Sequence, residues 1–240
     1  MPHIIVGEPC YLKYSAELSS FGLTPISLKA DPRLDGCVST HPDTLIFSDG
    51  FAYIINEENL QVLPEEIRSR MMPVSDTPYG GYPTDTALNA VRVGRYLFAR
   101  LSSLAPSVRG YAEENGIELV NVNQGYARCS VLPLPAVRAA ITADPSLAAA
   151  MEGKGIEVLR IRPGHIALEG HDYGFIGGAS FVYEPRGCCS ISDHSRYVYF
   201  FGQLRRHPDG EAVREFLSRH GYAAVCLGGE LTDYGGAVII

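Results

Sequence analysis

Two side chains in this sequence, Cys129 and His41, have the chemistry of a nucleophile and a general base. Cys129 directly follows Arg128, and a neighbouring guanidinium lowers the pKa of a thiol and so favours the reactive thiolate. His41 stands just ahead of an acidic stretch that begins at Asp43, and imidazole is the commonest acid–base group in enzymes. The two residues could therefore form a Cys–His pair. The alternation of a β-strand equally allows Cys129 to face the wall of the fold as a buried, inert thiol.

The other cysteines and histidines lack the spacing of a metal site. The six cysteines contain no C-x-x-C pair. Cys188 and Cys189 are adjacent in a predicted loop. We expect two ordinary thiols there, and a redox-active pair is the alternative. His165 and His171 flank Glu169 in a segment typical of a polar surface hairpin. We therefore expect no metal and no cofactor.

The charge balance limits the kind of partner. The chain has 20 Lys and Arg against 27 Asp and Glu, a net charge of -7, and no basic run. This pattern argues against nucleic acid and anionic membranes, and it favours a small cationic or zwitterionic ligand. No apolar stretch approaches the roughly 20 residues of a membrane helix, and the first residues lack the basic segment of a signal peptide. We expect a cytoplasmic protein that binds a small molecule, while the sequence does not indicate its oligomeric state.

One unit of secondary structure recurs along the chain. In its clearest copy an apolar strand over residues 138–143 precedes a helix opened by Asp144 and Pro145, and Gly155 separates this helix from a strand over residues 156–161. Asp suits the cap of a helix, Pro suits its first turn, and Gly suits the left-handed residue just past its end. The same order recurs in four other places: residues 96–120, residues 197–227 and, in weaker form, residues 3–28 and 51–74.

Each copy also needs a strand ahead of this strand–helix–strand core. The candidates in four copies are residues 43–47, 84–90, 126–132 and 175–183. The first copy lacks one, whereas residues 231–240 form a strand with no helix after it. The C-terminal strand is therefore expected to complete the N-terminal unit, which seals a ring and removes exposed sheet edges. The sequence predicts a single domain over residues 1–240.

Five ββαβ units around a pseudo-fivefold axis resemble the pentein or guanidine-modifying enzyme superfamily, which includes arginine deiminase and dimethylarginine dimethylaminohydrolase. One matching segment is Asp43-Thr-Leu-Ile-Phe-Ser-Asp49 followed by Phe51-Ala-Tyr-Ile-Ile, which is similar to the family's first acidic strand. The other is the run of residues 231–240, which is similar to its nucleophile strand. The resemblance implies an α/β fold in which five blades form a propeller, with the first unit closed by the C-terminal strand.

The resemblance also implies roles for three acids. In the family, carboxylates in a central channel hold a guanidinium, whose fork of donors matches them geometrically. These acids fall on Asp43, Asp49 and Asp85. The alternative for each is an ordinary turn or helix-cap aspartate.

The family's catalytic pair has no direct counterpart in this sequence. The His that acts as acid and base falls on Tyr126 or Gly125. The Cys that attacks the guanidinium carbon falls on the glycines Gly235 and Gly236, where glycine leaves room for a close approach or a ligand. Loss of either partner of such a pair normally lowers the rate by orders of magnitude.

Further residues join the candidate site because each opens an equivalent inner strand. We expect Asp43, Asp85, Tyr126, Arg128 and Asp233 to gather around one central cavity. The sequence thus predicts a catalytically reduced relative of the guanidine-modifying enzymes that binds a small guanidino or amino-acid-like ligand. Two alternatives stay open: an amidinohydrolase or amidinotransferase with Cys129 as a displaced nucleophile and His41 as its partner, and a protein-interaction ring.

Overall fold

The computed structural model describes residues 1–77, 79–184 and 196–240, and its strands form five small sheets. The strands are β1 (His3–Gly7), β2 (Thr24–Leu28), β3 (Ile46–Ser48), β4 (Tyr53–Asn56), β5 (Met72–Val74), β6 (Val91–Val93), β7 (Tyr96–Ala99), β8 (Glu118–Asn121), β9 (Val131–Leu134), β10 (Ala139–Thr142), β11 (Glu157–Arg160), β12 (Ser180–Tyr183), β13 (Tyr197–Phe200), β14 (Ala223–Cys226) and β15 (Val238–Ile239). The helices are α1 (Glu8–Ser20), α2 (Pro42–Leu45), α3 (Glu57–Leu60), α4 (Glu65–Arg68), α5 (Pro106–Glu114), α6 (Ala127–Ser130), α7 (Pro145–Glu152) and α8 (Gly210–Arg219).

Each sheet has three strands and the same pairing. The sheet orders are β15-β1-β2, β3-β4-β5, β6-β7-β8, β9-β10-β11 and β12-β13-β14. In every sheet the middle strand pairs antiparallel with the first strand and parallel with the third. The chain therefore has a mixed α/β fold of five ββαβ units, as the repeat predicts. We call the first strand of each sheet, namely β15, β3, β6, β9 and β12, its inner strand.

The two ends of the chain share one sheet, as the sequence predicts. Ile4 pairs with Ile239 and Ile5 with Val238. The paired C-terminal strand is shorter than the expected residues 231–240, because Gly235 and Gly236 have φ values of +73° and +67° that an extended strand does not allow.

The helix signals in the sequence act as predicted. The Asp144 side chain accepts hydrogen bonds from the backbone N–H groups of Ser146 and Leu147, at 2.8 Å and 2.9 Å, and so caps α7. Gly155 lies just beyond this helix with a φ of +72°. None of the helices in the described part of the chain has the length and apolar character needed to span a bilayer.

The segments expected to open the inner strands are helical turns instead. Asp43 lies in α2, Asp85 lies in a 3₁₀ turn over Thr84–Thr86, and both precede their strands. Arg128 and Cys129 lie in α6, so the strand alternation considered for Cys129 does not apply. The local bonds explain the difference: the Leu45 N–H donates to the His41 carbonyl at 3.2 Å, a contact that no extended strand makes.

In the described part of the chain, the hydrophobic core consists of five clusters, and each joins two neighbouring units. Examples along the chain are Ile5 with Ile55, Ile54 with Leu97, Phe98 with Ala140, and Ile141 with Phe200. The fifth cluster joins the last unit to the first, through Phe181 and Phe201 against Val6 and Leu18. Packing therefore continues from every unit to the next and returns to the start.

Candidate functional site

A cavity of about 840 Å³ lies among the inner strands. Every inner strand contributes to its wall, through Ser48, Val91, Pro133, Val182 and Val238. This volume is within the usual range for a small-molecule site, about 300–1,000 Å³.

The helical turns ahead of the inner strands bring Asp43 and Arg128 to one end of this cavity. Asp43 stands three residues ahead of Ile46, where β3 begins, and Arg128 stands three residues ahead of Val131, where β9 begins. Leu88 has the same position ahead of β6 and also lines the cavity. The same position of the repeat thus lines the cavity in three of the units.

Charged groups of both signs line the cavity. They are the carboxyl groups of Asp43, Asp49 and Glu184 and the guanidinium groups of Arg70, Arg92 and Arg128. Asp49 lies at the other end of β3 from Asp43, and its carboxylate accepts hydrogen bonds from Arg92 Nη1 at 2.6 Å and from the Tyr111 hydroxyl at 2.9 Å. It also accepts the backbone N–H of Phe51 at 2.9 Å. Asp49 therefore organises the turn between β3 and β4.

Asp43 is buried but poorly bonded. Its Oδ2 atom has no hydrogen-bond partner among the described residues, and its Oδ1 atom accepts a long bond from the Thr44 hydroxyl, at 3.4 Å. The Cys129 thiol lies close enough to the Asp43 carboxyl to act on it as a hydrogen-bond partner. Burial raises the pKa of Asp43 to about 7, and the nearby Asp233 carboxylate adds to this shift.

Cys129 is buried and held by an amide. Asn89 Nδ2 donates to the Cys129 Sγ at 3.2 Å, and Asn89 Oδ1 accepts the Arg128 backbone N–H at 2.7 Å. Burial raises the thiol pKa well above its ordinary value, and the charges of Asp43 and Asp233 raise it further. The free protein therefore holds Cys129 as a neutral thiol.

The structure brings His41 to Cys129. One donor atom from each of His41, Asp43 and Cys129 lies within 4.8 Å of the others. His41 Nδ1 is 3.9 Å from Asp233 Oδ1 and has no hydrogen-bond partner in the described part of the chain. Burial lowers the pKa of His41, so the imidazole is neutral near pH 7. We call His41, Asp43, Cys129 and Asp233 the buried set.

The glycines of the C-terminal segment make room for this set. Asp233 accepts the backbone N–H groups of Gly235 at 2.9 Å and Phe175 at 2.8 Å. A Cβ atom on Gly178 would lie 1.9 Å from Asp233 Oδ1, and one on Gly235 would lie 2.3 Å from the His41 Cβ. Gly236 donates its N–H to the Gly178 carbonyl at 2.7 Å. Of the two roles considered for these glycines, their packing fits the close approach of side chains and backbone.

Asp85 and Tyr126 form a separate pair. The Tyr126 hydroxyl donates to Asp85 Oδ2, and the Tyr126 ring packs on Tyr82 with centroids 5.6 Å apart. Asp85 is buried, and burial raises its pKa. Of the five residues expected around one cavity, Asp43 and Arg128 line it, whereas Asp85, Tyr126 and Asp233 are not among its lining residues. Asp85 bonds to Tyr126 instead, and Asp233 lies beside His41.

Asn89 was missed by the sequence reasoning. It stands two residues ahead of β6, and Cys129 stands two residues ahead of β9. Superposing the repeat units by their inner strands would have placed the two residues in equivalent positions. The adjacent Cys188 and Cys189 lie outside the described residues.

Among the described residues, two groups of side chains have donor atoms suited to a metal ion. One is His41 with Asp43 and Cys129 in the buried set, and the other is Asp35 with Cys37 and His171 on the surface. Both combine imidazole, carboxylate and thiol, which are ligands that zinc accepts. The sequence spacing predicted neither group, because their members lie on separate segments of the chain.

Comparisons with known proteins bear on the family and the fold of the chain. The model of a family described as "Family of unknown function (DUF6873)" matches residues 5–238. No curated protein matches the chain. A crystal structure of a histidine-to-glycine variant of dimethylarginine dimethylaminohydrolase, as its adduct with S-methyl-L-thiocitrulline, is similar with a TM-score of 0.50 and 12% identity, over 94% of this chain and 92% of that one. The likeness supports the expected resemblance at the level of the fold.

Proposed function

The chain belongs to the DUF6873 family, a family of unknown function, and we propose that it binds a small guanidino or amino-acid-like ligand in the central cavity without converting it. The observation that carries this proposal is the buried Asp43 carboxyl, which lines the cavity with an oxygen that has no partner in the described residues. A cation at this oxygen would compensate the burial of the carboxylate.

The proposal includes a five-bladed α/β propeller as the frame of the site. The five sheets would be its blades, and residues 1–240 would form one domain around the cavity. Two observations support this arrangement: all inner strands line the cavity, and the core clusters join each unit to the next and the last to the first.

Asp43 and Arg128 together favour a zwitterion over a simple cation. An ammonium or guanidinium group would bind Asp43, and a carboxylate would bind the Arg128 guanidinium, which lines the same end of the cavity. Hydrogen bonds to charged groups contribute about 1.5–3 kcal/mol each, so two such contacts are enough for measurable affinity.

The state of the thiol supports binding without turnover. A thiolate is the attacking form of cysteine, but burial and two carboxyl neighbours keep Cys129 protonated. Burial also lowers the pKa of His41, so transfer of the thiol proton to its imidazole is unfavourable. In the resemblance to the guanidine-modifying enzymes, the catalytic His is expected at Tyr126 or Gly125 and the catalytic Cys at the glycines Gly235 and Gly236.

Thermal shift measurements with a ligand panel test the proposal. The panel contains arginine, agmatine, methylated arginines and S-methyl-L-thiocitrulline, and each incubation is assayed for citrulline, urea and ammonia. We expect at least one compound to raise the Tm of the wild type, to lose this effect in Asp43→Asn, and to remain unchanged. Asp209→Asn is the matched control, because Asp209 pairs with Arg162 at the surface, 2.7 Å away. No shift with any compound would contradict the proposal.

A second candidate function is the displaced-nucleophile enzyme, which the proximity of His41, Asp43 and Cys129 favours. A bound guanidinium beside Asp43 would lower the thiol pKa and allow Cys129 to attack the guanidinium carbon, with His41 taking the thiol proton and passing it to the leaving amine. Turnover that disappears in Cys129→Ala, while the ligand still raises the Tm, would establish this candidate in place of simple binding.

A further inference from the structure

Three side chains with metal-binding atoms meet on the surface from distant parts of the chain. Asp35 and Cys37 lie between β2 and α2, and His171 lies between β11 and β12. One donor atom from each lies within 4.8 Å of the other two. We propose that this group, called here the surface triad, binds a zinc ion.

The local backbone is shaped to hold the triad together. The Cys37 N–H donates to Asp35 Oδ1 at 3.0 Å, which fixes the carboxylate and the thiol on one side of the turn. Gly170 has a φ of +79°, and a Cβ atom there would lie 2.5 Å from the Cys37 Sγ. Glycine at this position therefore suits both the positive φ and the close approach of the segment that carries His171 to the thiol.

The chemistry of the three donors favours zinc over other divalent ions. Thiolate, imidazole and carboxylate are its usual ligands, whereas magnesium and calcium prefer oxygen donors alone. A second carboxylate, that of Glu169, acts electrostatically on the Cys37 thiol, so the local charge also favours a cation. Asp35 and His171 are exposed, which leaves water free to complete a four-coordinate site.

A zinc ion bound to the surface triad would lie near the buried set without contacting it. The charge of His171 acts on His41, and the charge of Asp35 acts on Asp85. The ion would tie the segment between β2 and α2 to the segment between β11 and β12. The inference does not depend on the proposed ligand site, since none of the three residues lines the cavity.

Cobalt(II) is the probe for this site, because a cobalt–thiolate bond gives a charge-transfer band in the near ultraviolet. The full chain, with serine in place of Cys188 and Cys189, is titrated with cobalt, and zinc is then added to displace it. We expect one ion per chain with this band, loss of the band in Cys37→Ser, and at least about tenfold weaker binding in His171→Ala. Cys226→Ser is the matched control, because Cys226 is another partly buried free thiol, and it should keep the band.

The outcomes against the proposal are equally defined. A band that survives Cys37→Ser but disappears in Cys129→Ser would assign the metal to His41, Asp43 and Cys129 and overturn the surface triad. No band at any cobalt concentration would also overturn it. As a second readout, zinc should raise the Tm of the wild type and of Cys226→Ser but not of Cys37→Ser, which alters a side chain at the surface and should leave the fold intact.

Discussion

One aspartate lies ahead of β3 and one directly after it, and their hydrogen bonding differs. Asp49 lies at the turn to β4, where Arg92, Tyr111 and backbone N–H groups bond its carboxylate. Asp43 lies at the other end, where one carboxylate oxygen has no partner among the described residues. Both line the cavity, and the sequence offered both as ligand-binding residues.

The difference gives Asp49 a structural role and makes Asp43 the acid that our proposal assigns to a ligand. A buried polar atom without a partner is unfavourable to folding, so it is kept chiefly where function requires it. Asp49 has its bonding capacity filled by the protein, whereas Asp43 can still accept a hydrogen bond from a cation. Residue type and sequence position alone could not separate the two.

The largest predicted effect comes from removing the segment that supports the Asp43 end. The Asp43 N–H donates to the Gly235 carbonyl at 3.1 Å, and β15 pairs with β1. Deleting residues 232–240 should abolish cooperative unfolding in urea, because a sheet edge and the core beside it are exposed. A truncated chain with a wild-type unfolding transition would contradict the closed arrangement of the five units.

The next effect compares glycines at the two ends of the inner strands. Gly235→Ala places a Cβ atom 2.3 Å from the His41 Cβ on backbone with a φ of +73°, and should destabilise the fold by about 3 kcal/mol or more. Gly94→Ala is the control: its φ is +62°, but it faces open space, so only backbone strain of about 1 kcal/mol is expected. Urea unfolding of both variants measures the difference. Equal losses would mean that the buried set is not tightly packed.

How much of the fold and of the candidate site the sequence could predict depends on whether the signal is local. Asp144 and Gly155 marked the ends of α7 because a cap and a left-handed residue require only neighbouring atoms. The turn Pro42–Leu45 was mistaken for strand because four residues are too few to show a helical period. The contact between His41 and Asp233 joins residues 192 positions apart (233 − 41), so only the packing of distinct units creates it.

Conservative replacement of the two aspartates gives a smaller effect of different sign. Asp49→Asn should lower the free energy of unfolding by about 1–2 kcal/mol, because the ion pair with Arg92 is lost and the Tyr111 bond is weakened. Asp43→Asn should be neutral or stabilising at pH 8, because it removes a buried charge without a full set of bonds. Chemical denaturation at pH 8 distinguishes them, and equal destabilisation would remove the contrast between the two ends.

The last effect concerns pH. The folded-state pKa of Asp43, about 7, is above its ordinary value of 3.8, so the folded protein retains a proton that the unfolded chain loses. The wild type should therefore lose stability relative to Asp43→Asn as the pH rises from about 4 to about 7, and the gap should then level off. Asp209 gives the opposite control: Arg162 lowers its pKa to about 2, so its contribution is present above pH 4 and is lost as the pH falls towards 2. A pH-independent gap for Asp43→Asn would contradict the buried, unsatisfied carboxyl.

Native mass spectrometry of the purified chain tests the central claim most directly, because it requires no guess about the ligand. The protein is sprayed intact and again after denaturation, and the released small molecules are identified by fragmentation, with Asp43→Asn treated in parallel. The account predicts one guanidino or amino-acid-type molecule per wild-type chain, carrying a cationic group, and a strongly reduced amount in Asp43→Asn. A wild-type chain that carries no such molecule and takes none up from a mixture of guanidino compounds and amino acids would contradict the account.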